Sequence, residues 1–253
     1  MKKLILILLA AVAVSCASLN PDYLMSGGAK AVQALTLSDA EVQAYVHEYI
    51  TQLDAQSTVL PESNAYTKRL RKITSGITSV DGMALNFKVY KTSDVNAFAC
   101  ADGSVRVYTG LMDIMDDSEV LGVIGHEIGH VALKHTKKEM KASILTSAAL
   151  DGISATSTTA AALSQSQLGA IGQSILNAQY SKKQEQAADD YAYSYLKGLG
   201  KNPECLARSL EKIQSMESGS QSSAIAKLFS SHPDTAKRIA RVRERLVADG
   251  YTK

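Results

Sequence analysis

The chain has 253 residues, of which 45% are hydrophobic and 21% charged, a balance that suits one or two globular domains with a substantial core. It carries 27 Lys and Arg against 25 Asp and Glu, and the two signs balance once Lys2 and Lys3 are set aside with a leader. No basic excess is left to grip a phosphate backbone, so nucleic-acid binding is not expected.

Met1-Lys-Lys3 is followed by an apolar run from Leu4 to Val14. The run is too short for a spanning helix, which needs roughly 20 residues, and has the length of a signal-peptide core, so residues 1–15 are read as a signal peptide. It ends Ala13-Val-Ser-Cys16, which resembles a bacterial lipobox, with Ala13 where Leu is usual. In that reading Cys16 is acylated and becomes the mature N-terminus, and Ala17 after it resembles the pattern for outer-membrane sorting. Ordinary signal cleavage near Ala13 or Ala17 is the alternative. Residues 16–37 then form a tether. With Cys16 carrying lipid, Cys100 and Cys205 are left either as a disulfide or as two buried thiols.

Ser38 and Glu41 have capping-box spacing, and Val42, Tyr45, Val46, Tyr49, Ile50 and Leu53 recur at helical intervals up to a break at Pro61. A second helix is predicted over 65–77, then a turn at Asp81-Gly82. Strands are predicted at 85–90, 95–100 and 104–108, the last two joined through Asp102-Gly103. Asp116, Asp117 or Ser118 is expected to cap a long helix, with another continuing to about Leu150. Residues 152–181 contain no charged side chain, yet Ser, Thr, Gln and Gly dilute the apolar ones, so soluble helices are expected rather than a span. Helices follow at 184–196, 203–216 and 236–248, with a flexible loop at 217–223. No repeat or second-domain boundary is evident, so residues 38–253 read as one mostly helical α+β domain.

Within the long helix stands His126-Glu-Ile-Gly-His130. Burying an unpaired polar group costs roughly 2–7 kcal/mol, so three ionisable groups among Val120, Leu121, Ile124, Ile128 and Val131 need compensation. At i and i+4, both imidazoles leave one helical face and can bind one Zn²⁺, while Glu127 lies next to the first ligand as a base for water. Two histidines satisfied by core hydrogen bonds are the alternative. Gly125 and Gly129 leave room for close packing or for substrate. A catalytic zinc needs a third protein ligand, and Glu185-Gln-Ala-Ala-Asp189 offers Glu185, with Asp189 one turn on to accept a ligand histidine's other N–H. Taken alone, that segment also reads as a solvated helix face beside Lys182, Lys183 and Asp190. His47 and His135 are read as ordinary, His135 as exposed at a helix end.

These two motifs, with Ser231-His-Pro-Asp-Thr-Ala-Lys-Arg-Ile239 and the strand pair within 96–111, resemble the zinc metallopeptidases of the HtpX and CAAX-prenyl-protease type, in their non-spanning periplasmic branch. The resemblance runs from about Ser38 onward. It implies a gluzincin-like fold with a small sheet beside the zinc-binding helix. It implies one zinc per chain on His126, His130 and Glu185, Glu127 as general base, Asp189 behind the ligands, and His232 and Arg238 facing the site. Asn96, Ala97, Phe98 and Ala99 would be an edge strand to which an extended substrate pairs. It further implies proteolysis of exported or membrane-associated polypeptides in envelope quality control, membrane attachment through the N-terminal lipid on the periplasmic side, and envelope protease or assembly-machinery partners. A masked zinc-bearing chaperone or interaction module is the competing expectation.

Overall fold

The computed structural model of the protein describes residues 38–139, 172, 178–217 and 232–251. The signal-peptide, lipobox and tether readings, nearly all of the uncharged 152–181 segment and most of the 217–223 loop lie outside the described residues. No helix among the described residues is long and apolar enough to cross a membrane.

Helix α1 (Asp39–Gln56) starts at the expected capping box: Glu41 N–H donates to Ser38 Oγ, and Ser38 N–H to Glu41 Oε2. Helix α2 (Ala65–Ile73) is capped by Asn64 and ends four residues before the predicted limit, because the chain turns through Gly76 at φ +82°. Strands β1 (Ser79–Val80) and β2 (Met83–Ala84) form a two-residue hairpin on the Asp81-Gly82 turn; both turn residues have positive φ. Strands β3 (Asn86–Tyr90), β4 (Ala97–Ala99) and β5 (Ser104–Tyr108) make a mixed sheet in the order β3-β5-β4, with β3 parallel and β4 antiparallel to β5.

The outer side of β3 is covered by residues 58–60: Leu60 N–H donates to Val89 O and Lys91 N–H to Thr58 O. On β4, Asn96 O accepts from Tyr108 and Cys100 donates to Ser104, so Asn96, Phe98 and Cys100 face β5 through their backbones. The alternation turns the backbone groups of Ala97 and Ala99 away from β5, to the side of β4 that pairs with no strand among the described residues.

One face of the sheet packs on α1, through Tyr90, Phe98 and Cys100 against Val46, Tyr49 and Ile50. Tyr90 and Tyr108 stack at 5.7 Å between ring centres, with Phe98 edge-on to both. Arg106, 2% exposed, holds Asp54 of α1 through Nε at 2.8 Å and Nη2 at 3.0 Å, so a charged pair is tucked beneath this layer. The opposite face, Val89, Ala97, Ala99, Val105 and Val107, joins the main core with α2, the short helix α3 (Thr109–Ile114) and helix α4 (Asp117–Ala132).

Helix α4 runs through the centre of the protein. Every residue from Gly122 to Val131 is buried, as expected of a helix that is apolar nearly all round. Asp116 is its cap, in a reciprocal box with Glu119. Helix α5 (Lys182–Gly198) packs on one side of it, and helices α6 (Glu204–Glu217) and α7 (Thr235–Ala248) complete a second core with α5 around Tyr193, Leu206, Leu210, Val242 and Leu246. α5 begins two residues before the predicted start because Ser181 and Gln184 form another capping box. Cys100 and Cys205 are both free thiols, buried in different clusters.

Candidate metal centre

The three sequence segments singled out above meet at one place. His126 and His130 leave the same face of α4 with their Nε2 atoms 3.0 Å apart. Glu185, fully buried in the first turn of α5, presents Oε1 at 3.2 Å from His130 Nε2 and Oε2 at 3.5 Å from His126 Nε2. His232, ahead of α7, places Nδ1 at 3.3 Å from His126 Nε2 and 3.2 Å from Glu185. The four donor atoms lie within 4.8 Å of one another.

This donor set fits a metal cation. Four ligands at roughly 2.0–2.1 Å from a tetrahedral ion stand about 3.3–3.4 Å apart, and the separations given above, 3.0–3.5 Å, bracket that spacing. Imidazole lone pairs crowded against each other and against a carboxylate also need a positive centre to be stable in a dry interior.

Two groups stiffen the cluster from behind. Asp189, one turn after Glu185, takes His126 Nδ1 at 2.9 Å. Arg238 of α7, 2% exposed, donates to Asp189 through Nε at 2.7 Å and Nη2 at 2.8 Å, and through Nη1 to Glu185. A planar guanidinium fits this two-carboxylate geometry in a way lysine would not. Since its nitrogens are taken by these carboxylates, Arg238 does not face an open site; it holds the residues that do.

Glu127 is 7% exposed, bonded to the Ala99 backbone of edge strand β4, with His232 Nε2 3.7 Å from its Oε1. Burial raises its carboxyl above the ordinary glutamate value, against the lowering influence of His232 and His126. Burial likewise keeps His130 neutral, well below the ordinary histidine value. Burial and the Arg238 charge push His126 down, but Glu185 and Asp189 outweigh them and hold it at about 9. Burial would raise Glu185 and Asp189; the His126 and His232 rings keep the first low, and the Arg238 hydrogen bonds keep the second at about 2. The pocket therefore favours positive charge at the point where the donors converge.

Two neighbours were not anticipated. Tyr180 stacks on His130 with ring centres 3.8 Å apart. His135, expected to be exposed, is 5% exposed and places Nδ1 at 2.9 Å from His130 Nδ1. The reversal at the end of α4 explains it. Leu133 closes the helix and Lys134 adopts φ +58°, which turns the chain back across the last turn. Nothing in the residue types forecast that left-handed lysine, although the five-residue interval from His130 to His135 was visible. His47 is exposed on α1, near Asp102.

The Peptidase family M48 description matches residues 36–246, which takes in every described part of this site. The chain belongs to peptidase family M48. The chain is similar to Metalloprotease LoiP of Escherichia coli (strain K12), 43% identical over 242 residues, which cover 95% of this chain and 94% of that protein. Metalloprotease YcaL of the same organism is 43% identical over 231 residues, covering 91% and 89%. The Beta-barrel assembly-enhancing protease of E. coli (strain K12) is 25% identical over 238 residues, which cover 89% of this chain and 46% of that protein. The M48 membership makes the protein a metalloendopeptidase, and the convergent His and Glu donors are where the family's metal fits.

Proposed function

We propose that the protein is a zinc endopeptidase of the bacterial cell envelope, lipid-anchored through Cys16 on the periplasmic side of the outer membrane. Its substrates would be exported or membrane-associated polypeptides, in protein quality control. One observation carries the chemistry: the donor atoms of His126, His130 and Glu185 point at one another with Glu127 alongside. Nitrogen and carboxylate donors at tetrahedral spacing suit zinc; calcium and magnesium take six or more ligands, mostly oxygen. These three residues would hold one zinc per chain.

When bound, zinc acts as a Lewis acid that polarises the scissile carbonyl and makes water at the site far more acidic. Glu127 takes a proton from the attacking water on its carboxylate and delivers it to the departing amine, a role its burial-raised carboxyl suits. Ala97 and the carbonyl of Ala99, on the side of β4 away from β5, would hydrogen-bond an extended peptide along Asn96–Ala99, with Phe98 anchoring the strand on the α1 side. Asp189 fixes the His126 ring, and Arg238 fixes Asp189 and Glu185. His232 stands at the fourth corner of the donor set, where it holds the site closed; swung clear, it is free to donate to the developing oxyanion.

The placement of His232 also favours a second reading, a masked zinc-bearing chaperone for envelope proteins. Support for an envelope role comes from the relative whose name describes β-barrel assembly, and that assembly machinery is the partner class to test. Casein digestion, its loss with 1,10-phenanthroline and its return with Zn²⁺ test the enzyme reading, alongside metal analysis. Under that reading, His126→Ala, His130→Ala and Glu185→Ala lose zinc, and His232→Ala raises basal proteolysis. Retained zinc with no cleavage by the wild type or by His232→Ala supports the chaperone.

A further inference from the structure

We propose that His135 is a positioning residue for the metal centre: as a neutral imidazole it accepts the Nδ1 proton of His130 and sets the orientation of that ligand. The inference rests on the assignment of His130 as a metal ligand. His130 Nε2 faces Glu185 and His126, so the proton of the neutral ring sits on Nδ1 and points away from the donor cluster. At 2.9 Å from it is His135 Nδ1. Two protonated nitrogens cannot form that bond, so His135 carries its proton on Nε2 and offers a lone pair from Nδ1.

The two ligand histidines are thus braced by different chemistry. Behind His126 stands the Asp189 carboxylate, itself neutralised by Arg238. Behind His130 stands a ring with no charge, held at 63° to it, while Tyr180 covers the His130 face. A partner that accepts the outer ring proton fixes the tautomer and aim of a ligand histidine, and losing it typically weakens metal affinity by about 10–100-fold. A carboxylate at this place would add a further negative charge to a pocket that already holds Glu185 and Glu127. The imidazole supplies the acceptor without that charge. His135 reaches this position directly after Lys134, which adopts φ +58°.

The test uses the full chain stripped of metal and reads Zn²⁺ affinity by chelator competition, with the visible spectrum of the Co²⁺-loaded protein beside it. His135→Phe keeps a ring but removes the acceptor. His135→Asn restores an acceptor oxygen close to the place of Nδ1. We expect about 10–100-fold weaker Zn²⁺ binding and a changed Co²⁺ spectrum for His135→Phe, and affinity within a few-fold of wild type for His135→Asn. Wild-type affinity and spectrum in His135→Phe overturn the proposal. Equal loss in both variants also overturns it, since packing rather than the acceptor would then matter. His130→Ala separates the two levels: if it binds Zn²⁺ like wild type, the ligand assignment fails; if it loses Zn²⁺ while His135→Phe does not, only the role of His135 fails.

Discussion

Arg238 shows how much a single side chain can carry. It is 2% exposed and contacts both Asp189 and Glu185, two carboxylates that would otherwise repel in a dry pocket. Breaking a buried ion pair by removing one partner costs about 3–5 kcal/mol, because the other charge stays buried. Arg238→Met should therefore lower the unfolding free energy of the metal-free protein by about that amount in urea titration; a change within 0.5 kcal/mol, about the size of an ordinary surface substitution, would mean the carboxylates find other partners. A second, partly buried pair allows a pH test away from the metal centre. Burial alone would raise the Asp54 carboxyl, but hydrogen bonds from Arg106, Lys88 and Tyr90 outweigh it and hold it below its ordinary value of 3.8. A folded-state value below the unfolded one stabilises the protein above the unfolded value, and that stabilisation is lost as pH falls through the folded value. The stability gap between wild type and Asp54→Asn should thus be full at pH 7 and shrink below about pH 4, as followed by denaturant unfolding. A gap that is constant across this range contradicts the assignment.

At the scale of elements, the glycines of α4 decide how near its neighbours come. A Cβ on Gly129 would stand 2.5 Å from Ala188 O in α5, and one on Gly122 would stand 2.2 Å from Cys205 O in α6, both backbone atoms. A Cβ on Gly125 would meet the Leu196 side chain at 2.7 Å, which can turn away. The glycines at 125 and 129 thus serve packing, the first of the two uses the sequence allowed. Gly129→Ala must push α5, and Glu185 with it, away from His130. It should lower both melting temperature and zinc content, whereas Gly125→Ala should cost less on both measures; the reverse order would contradict this account of α4–α5 contact.

Much of this layer was legible. Ser38 with Glu41, Asp116 before an apolar helix and the Asp81-Gly82 turn are local signals, read by chemistry that acts within four residues. The end of α2 and the start of α5 differ from the periodicity-based limits because local features set them, Gly76 in one case and the Ser181–Gln184 box in the other. Buried His135 was illegible for a different reason: its position depends on a left-handed Lys134, which no residue preference predicts. The pairing of β3 in parallel with β5, past an intervening β4, depends on tertiary contacts rather than on alternation within a strand.

Across the whole molecule, the centre is assembled from three segments that together span more than 100 residues, His126 on α4, Glu185 on α5 and His232 ahead of α7. Motif spacing identified the first two because helical periodicity places i and i+4 on one face. The arrival of His232 and Arg238 required the packing of α7 on α5, which only the fold supplies. The proposed membrane attachment would likewise belong to the whole chain, since Cys16 stands more than 100 residues before the site in sequence. Cys16→Ser should abolish acylation by mass spectrometry and move the protein from the membrane to the soluble fraction. Unlipidated wild-type protein in the soluble fraction would refute the anchor.

The claim on which the account depends is that Glu127 supplies a base while His126, His130 and Glu185 hold the metal. Casein digestion by purified wild type and Glu127→Gln, with zinc content measured on both, tests it most directly. The account predicts one zinc per chain in each protein and hydrolysis lost from Glu127→Gln. Full hydrolysis by Glu127→Gln would contradict it.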